Sequence, residues 1–131
     1  MEYKFQRLDV YRLGLDYIDR AYAISRDLTA SQRFNLGSQL ERAATSIVLN
    51  IAEGSTGQSD AEQKRFLGLA VRSYLETIAC LDIIERLGCL DGGRLEETRE
   101  LGRELFVKLQ AFRRTLKAPV RGPRSAVNSE P

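Results

Sequence analysis

The chain lacks histidine and tryptophan altogether, and its 131 residues include only two cysteines and three prolines. The absence of histidine removes the commonest general base and metal ligand at neutral pH, which excludes Ser-His-Asp and Cys-His nucleophile systems. It also excludes the Glu-x-x-His pairs of carboxylate-bridged di-iron bundles. Cys80 and Cys89 are too few for a disulfide framework, and we expect both to stay thiols. The composition therefore predicts a protein that is not an enzyme and carries no cofactor.

Long hydrophobic runs are missing as well. No apolar stretch approaches the roughly 20 residues that a membrane span requires, and residues 1–4 lack the layout of a signal peptide. We therefore expect a cytoplasmic protein. The prolines are Pro119, Pro123 and Pro131, so no helix breaker of that kind interrupts residues 9–117.

The uninterrupted part of the chain carries four stretches with the apolar periodicity of helices. They run over residues 9–26, from 31 or 32 to 53, from a cap at Ser59 to 87, and over 91–117. Short links between long amphipathic helices favour an all-α fold, an up-down-up-down four-helix bundle. We expect this domain to occupy residues 1–117 and residues 118–131 to form a basic tail that is flexible unless something binds it.

The second of these helices is the most informative. One side of it is apolar, and Gly54 at its end is typical of a left-handed cap. Beside the apolar side runs a narrow polar seam, which two residues of the third helix extend; its members are Gln39, Arg42, Ser46, Asn50, Glu53, Ser73 and Glu76. We interpret this polar seam as a structural network that fixes register or assembly, with a ligand site as the alternative.

Carboxylates offer one further alternative. Glu53, Glu62 and Glu76 could converge on a hard metal ion, which oxygen ligands suit. Helix capping by Glu62, and pairing of the other two with polar side chains nearby, is the favoured interpretation, so we expect no metal site.

Two helices carry more apolar surface than one bundle face needs. The predicted core stripe of the third helix consists of Phe66, Leu69, Ala70, Thr77, Cys80, Ile84 and Leu87. A second stripe lies about 100° around the axis of the third helix, and another lies beside the core face of the first; we expect both to form an interface between copies of the chain. They are Tyr11, Leu15, Ile18 and Tyr22 on the first helix, and Leu67, Val71, Tyr74 and Ile78 on the third. The alternative is a wider core around a kinked helix.

The net charge of +2 is unevenly placed, because residues 105–129 contain no acidic side chain. This asymmetry predicts an anionic partner, with salt-sensitive phosphate binding as its simplest form. The candidate RNA contacts are Lys108, Arg113, Arg114, Lys117, Arg121 and Arg124. A solvated helix end is the alternative. Since the aromatic residues nearby, Phe106 and Phe112, fall on the core face, base stacking is not expected here.

A set of short motifs starts in the second helix and continues on both sides of it. The set comprises Ser38-Gln39, Arg42-Ala43-Ala44, Ser46-Ile47 and Asn50-Ile51-Ala52-Glu53-Gly54, with Phe5, Leu8 and Val10 upstream and Ser59, Glu62, Phe66-Leu67, Ala70, Ser73, Glu76 and Leu87-Gly88 downstream. Over roughly the first 117 residues, judged by where the helical pattern stops, these motifs resemble the small bacterial four helix bundle proteins, also called 23S ribosomal RNA intervening-sequence proteins. One departure is Arg72, where that family usually has glycine.

The resemblance implies a ring-shaped pentamer of four-helix protomers. It also implies a connection with ribosomal RNA, although the family's name describes where its genes lie and not an activity. We therefore expect a non-enzymatic homo-oligomer that presents basic C-termini to RNA or a nucleoprotein. The alternative is a protein–protein interaction scaffold that does not bind nucleic acid.

Overall fold

Four long helices dominate the computed structural model, which describes residues 1–57 and 59–117. The helical elements in chain order are a 3₁₀ turn (Lys4–Arg7), α1 (Asp9–Arg26), α2 (Ala30–Gln32), a π turn (Arg33–Gly37), α3 (Ser38–Gly54), α4 (Asp60–Arg86) and α5 (Gly92–Arg114). Within these ranges the chain forms no strand, which confirms the all-α class. No helix of the described chain is long and apolar enough to cross a membrane. Residues 118–131, including Arg121 and Arg124, lie outside the described ranges.

Side-chain caps set the starts of the last two long helices. Ser59 Oγ accepts a hydrogen bond from the backbone N of Glu62 at 3.1 Å, as the sequence predicted. Asp91 Oδ1 accepts one from the backbone N of Arg94 at 2.8 Å. Each cap supplies a partner for a backbone N–H that the first helical turn leaves unpaired.

The segment from α2 to α3 is helical throughout, which confirms the predicted second helix but adds a π turn to it. Gln32, Arg33, Gly37 and Ser38 all have right-handed helical backbone angles, so the path does not break. A Cβ at Gly37 would collide with the hydroxyl of Ser25 on α1. The π turn therefore depends on glycine for its close approach to α1.

Gly54 corrects one sequence-based expectation, because it does not form a left-handed cap. The described glycines with positive φ are Gly57, at 92°, and Gly88, at 72°. Gly54 is the last residue of α3 and is buried. A Cβ there would lie 2.6 Å from the Cβ of Phe66 on α4. Glycine at this position allows α3 and α4 to approach closely, and it does not reverse the chain.

The core extends along the whole bundle as two clusters. α3 packs against both α1 and α4, and α5 packs against α1 and α4. The first cluster contains Val10, Tyr17, Ile47, Ile51, Leu67, Ala70, Val71, Tyr74, Leu105 and Leu109. The second contains Ala21, Ile24, Leu28, Leu40, Ala44, Cys80, Leu81, Ile84 and Leu95. All four long helices contribute side chains to both clusters, and the half-buried Ile78 packs against both of them.

Polar contacts join helix ends that are distant in sequence. At one end, the backbone N of Lys117, beyond α5, donates to Asp60 Oδ2 at the start of α4 (3.2 Å). At the other, Arg94 at the start of α5 donates to Asp27 Oδ2, just past α1, through Nε at 3.0 Å and NH2 at 2.6 Å. Such exposed pairs contribute little stability, on the order of 1 kcal/mol or less, but they record which helix ends are neighbours.

Candidate nucleic-acid interface

The centre of the polar seam is a hydrogen-bonded group that joins α3 to α4. Ser46 Oγ lies 2.8 Å from Ser73 Oγ. Asn50 Nδ2 donates to the carbonyl oxygen of Ser46 at 2.9 Å and lies 3.1 Å from Ser46 Oγ. All three side chains are half-buried. Short side chains here let the two helices lie close while every hydroxyl retains a partner.

The other residues predicted for the seam are not part of this group. Arg42 donates to Ser38 Oγ one turn earlier, at 2.8 Å. Gln39, Glu53 and Glu76 are exposed on the helix surfaces. The structure therefore brings together three of the seven predicted residues. The other four were included because helical periodicity puts them on the same side, but they do not contact this group.

The carboxylates considered for a metal do not form a cluster. The described residues include no group of three or more acidic, cysteine or histidine side chains that could hold an ion. Glu62 instead lies 3.4 Å from Arg65 Nε on the same helix. Cys80 is buried, and burial raises the pKa of its thiol, with the carboxylate of Glu76 adding to the shift. A raised pKa disfavours the thiolate and therefore nucleophilic chemistry at this cysteine.

The interface predicted on the third helix needs correction. Leu67, Val71 and Tyr74 are buried inside the protomer, in the first core cluster, and do not lie on an outer surface. The buried residues of α4 form one wide stripe, consisting of Leu67, Ala70, Val71, Tyr74, Thr77, Cys80, Leu81 and Ile84. α4 needs this width because it packs against both α3 and α5. Ile78 is half-buried and touches both core clusters.

The apolar surface that remains on α4 lies elsewhere. Leu75 is 51% exposed, Ile83 is 44% exposed, and Leu87, the residue directly after α4, is 67% exposed. Together with the exposed Ala79, they follow one another at intervals of four residues, so they share one side of the helix. We call these four residues the outer stripe of α4. Leu87 was predicted to be in the core, and its exposure corrects that assignment. On α1, Leu15 is exposed, whereas Tyr11, Ile18 and Tyr22 are half-buried.

The basic end of α5 is only partly available to a ligand. Lys108, Arg114 and Lys117 are exposed. Arg113, by contrast, packs over Gly68 of α4, where an added Cβ would lie 3.4 Å from its NH2 atom. Its NH1 atom donates to Gln110 Oε1 at 2.8 Å. Its Nε is buried without a hydrogen-bond partner among the described residues. Arg113 is thus part of the packing between α4 and α5.

Further cations surround the end of α5. A surface depression lined by Leu8, Asp9, Val10, Lys108, Ala111 and Phe112 places the start of α1 beside the last turns of α5. The start of α4 is also close, through the contact of Asp60 with Lys117. These neighbouring segments contribute the cations Lys4, Arg7, Arg12, Lys64 and Arg65 and the carboxylates of Asp9, Asp60 and Glu62. Arg65 lies over the ring of Phe66, 4.4 Å from its centroid. We call this part of the surface, together with Lys108, Arg114 and Lys117, the basic end.

Comparisons with known proteins agree with this architecture. A family model described as 23S rRNA-intervening sequence protein matches residues 6–111. Among solved structures, the chain is similar to the crystal structure of a protein with unknown function from the S23 ribosomal protein family of Bacteroides thetaiotaomicron VPI-5482. The two are 25% identical with a TM-score of 0.73, and the match covers 79% of this chain and 96% of that one. No curated protein matches the chain significantly.

The match to the family model begins in the 3₁₀ turn and ends in the last turn of α5, so it includes all four long helices. It spans well over half of the chain. The chain therefore belongs to the family of 23S rRNA-intervening sequence proteins.

Proposed function

We propose that this protein is a non-enzymatic, self-associating four-helix bundle that binds RNA phosphates through its basic end. The observation that carries the proposal is the set of Lys and Arg side chains, all but Lys64 exposed, that three neighbouring segments bring to the end of α5. Counterion release from phosphates would supply the affinity, which makes it salt-dependent and largely independent of sequence. The family name adds an association with ribosomal RNA genes.

The basic end depends on an up-down-up-down order of the helices, which we include in the proposal. In that order α1 and α4 begin, and α3 and α5 end, at the same end of the bundle. The contact of Lys117 with Asp60 supports this at the basic end. The pairing of Arg94 with Asp27 supports it at the opposite end. Lys117, the last described residue, lies at the basic end, and the candidate contacts Arg121 and Arg124 follow it in the sequence.

Self-association forms the second part of the proposal. The outer stripe of α4 is apolar surface that a solitary protomer would leave in water. With Leu15 and its half-buried neighbours Tyr11, Ile18 and Tyr22 on α1, it provides two patches on different helices. Two different patches suit a head-to-tail ring, and the pentamer that the resemblance implies is one closed ring of this kind. A ring would repeat the basic end once per subunit and so strengthen the positive electrostatic potential of the assembly.

Binding of the full-length protein to a labelled, structured RNA at low and moderate salt tests the first part. We expect Lys108→Glu/Arg114→Glu/Lys117→Glu to weaken binding and to reduce its salt dependence. The matched control, Arg20→Glu/Arg72→Glu/Arg103→Glu, changes the net charge equally at exposed positions away from the basic end. Equal binding by both triple variants would overturn the assignment to the basic end, and no binding by the wild type at low salt would overturn RNA binding itself.

A protein-interaction scaffold is the second candidate function. The observation that favours it is the same outer stripe of α4, which could receive an apolar helix from another polypeptide. A wild-type protein that is a single protomer in solution, fails to bind RNA and captures a partner only while Leu75 and Ile83 are intact would support the scaffold over the RNA-binding oligomer.

A further inference from the structure

A second positively charged surface lies away from the basic end, where the end of α1, the π turn and the start of α3 meet. The three segments border an open groove, which is lined by Arg26, Leu28, Ala30, Arg33, Phe34, Ser38, Glu41 and Arg42. We call it the π-turn groove.

Phe34 is the unusual residue of this groove. Its side chain is 86% exposed, more than any other aromatic side chain in the described chain. It belongs to the π turn, so its backbone is held within a helix and not in a loose loop. The turn packs against α1 so closely that a Cβ at Gly37 would collide with the hydroxyl of Ser25. Because the backbone that carries the ring is already helical, a base can stack on the ring without a loop having to be ordered first.

Charge in the π-turn groove is predominantly positive. Arg26, Arg33 and Arg42 border it, and Glu41 is its one acidic lining residue. Glu41 lies 3.4 Å from Arg33 NH2 and so offsets that arginine alone. Asp27, the neighbour of Arg26 in sequence, is engaged by Arg94. Arg26 and Arg42 therefore retain charge that no lining carboxylate balances.

We propose that the π-turn groove binds a single-stranded segment of RNA, with a base stacked on Phe34 and the neighbouring phosphates held by Arg26 and Arg42. An exposed aromatic ring beside cations is the arrangement by which proteins hold single strands, because every base has a π face and every linkage a phosphate. A duplex offers only phosphates, since its bases are already stacked. This inference rests on the proposed function, because it takes RNA as the ligand. It adds a second binding site, which prefers single strands to duplexes.

Two other occupants are physically reasonable, and the test must separate them. An acidic peptide would use the arginines but would gain little from a stacking platform. A second copy of the chain would bury Phe34 in an apolar pocket and would bring no phosphate to Arg26 and Arg42. The excess of positive charge next to the ring favours RNA over both.

The experiment measures binding of the full-length protein to a fluorescent oligouridylate and to a labelled RNA duplex. We expect Phe34→Ala to weaken oligouridylate binding about 5- to 150-fold, the usual effect of removing one stacking platform, and to leave duplex binding unchanged. Phe34→Trp should restore the affinity. Arg26→Gln/Arg42→Gln should lower both the affinity and its salt dependence. Leu49→Ala removes another exposed apolar side chain and serves as the matched control.

Each alternative has its own signature. If the wild type binds oligouridylate and Phe34→Ala binds it equally well, the inference is overturned while the proposed function stands. If Phe34→Ala lowers the light-scattering mass and leaves oligouridylate binding intact, Phe34 is a subunit contact and the inference is overturned. If the wild type binds neither RNA, both proposals fail. If Phe34→Ala loses oligouridylate binding but keeps normal duplex binding and normal mass, the inference that the π-turn groove binds single strands is supported. This holds even if the triple variant of the basic end has no effect.

Discussion

The hydroxyl of Tyr17 lies 2.7 Å from Thr77 Oγ1 at the centre of the bundle, where both side chains are buried. Thr77 Oγ1 donates to the carbonyl oxygen of Tyr74, so in this pair Tyr17 is the donor. Gly102 of α5 makes room for the two tyrosine rings, because a Cβ there would lie 2.9 Å from Cε1 of Tyr17. One polar chain therefore links α1 to α4 inside an otherwise apolar interior, with α5 closing over it.

The direction of this hydrogen bond predicts unequal costs for removing its two ends. Thr77→Val leaves the buried hydroxyl of Tyr17 without an acceptor and should lower the free energy of unfolding by about 1–3 kcal/mol. Tyr17→Phe leaves Thr77 still bonded to Tyr74, so it should cost about 1 kcal/mol. Urea unfolding of both variants checks the order. The double variant should lose less than the sum of the two, and strict additivity would contradict a direct pair.

Alkaline pH should destabilise the protein through Tyr17. Burial raises the pKa of its phenol far above the usual value. Since the raised pKa belongs to the folded state, the stabilisation is complete below the unfolded pKa of about 10 and is lost as the pH rises above it. At one pH unit above that value the loss approaches about 1.4 kcal/mol. Urea midpoints measured across this range should fall less steeply for Tyr17→Phe than for the wild type; parallel curves would refute the assignment to Tyr17.

Gly54 should be intolerant of alanine because of the neighbouring helix. The new Cβ would lie 2.6 Å from the Cβ of Phe66, and relieving that overlap should cost about 1–3 kcal/mol. Gly68→Ala is the matched control, since its Cβ would meet the flexible side chain of Arg113 at 3.4 Å. There the loss of a helical glycine should leave stability unchanged or raise it by up to about 1 kcal/mol. Thermal melts of both variants test the contrast, which equal destabilisation would disprove.

Asn50→Ala should destabilise the contact between α3 and α4. The variant removes the donor to the carbonyl oxygen of Ser46 and loosens the pair formed by Ser46 and Ser73. Because these groups are half-buried and water can partly replace the amide, we expect a loss of about 1 kcal/mol. Gln39→Ala, at an exposed position of the same helix, is the control. An unchanged melting temperature for Asn50→Ala would show that the polar seam does not stabilise the fold.

The outer stripe of α4 should control self-association. Leu75→Glu/Ile83→Glu places two charges on the proposed contact surface and should reduce the light-scattering mass to that of one protomer, because buried unpaired charges oppose association. Val107→Glu introduces a charge at an exposed apolar position on α5 and should leave the mass unchanged. A wild-type protein that already has the mass of one protomer at micromolar concentration would rule out the oligomer.

The helices and most of the α1 core could be predicted from sequence, because Val10, Tyr17, Ala21, Ile24 and Leu28 follow one helical side and all five are buried. The burial pattern of α4 could not be predicted in this way. A helix that packs against two neighbours has a stripe wide enough to be mistaken for two, and periodicity within one helix does not say how many neighbours it has. That ambiguity placed Leu67, Val71 and Tyr74 on an outer surface.

Phe34 was missed for a different reason. The aromatic residues considered for stacking were Phe106 and Phe112, chosen for their place in the basic stretch, and both pack against the core. The signal for Phe34 is that it lies off the side of the helix that carries Leu36 and Leu40, which makes it an aromatic residue with no core position to fill. Its surroundings depend on the π turn, and no local pattern predicted that turn.

The π turn also marks where this chain can change in length. It holds one residue more than the α-helical turn it replaces. The widened turn absorbs that residue, so deleting one residue from 33–37 would restore an ordinary α-helical turn and leave Leu28 in its place in the core. Deleting a residue inside a regular part of α3 would instead rotate everything before it by about 100° about the helix axis. Across relatives, length differences of one residue should therefore collect at this connection and not within the long helices.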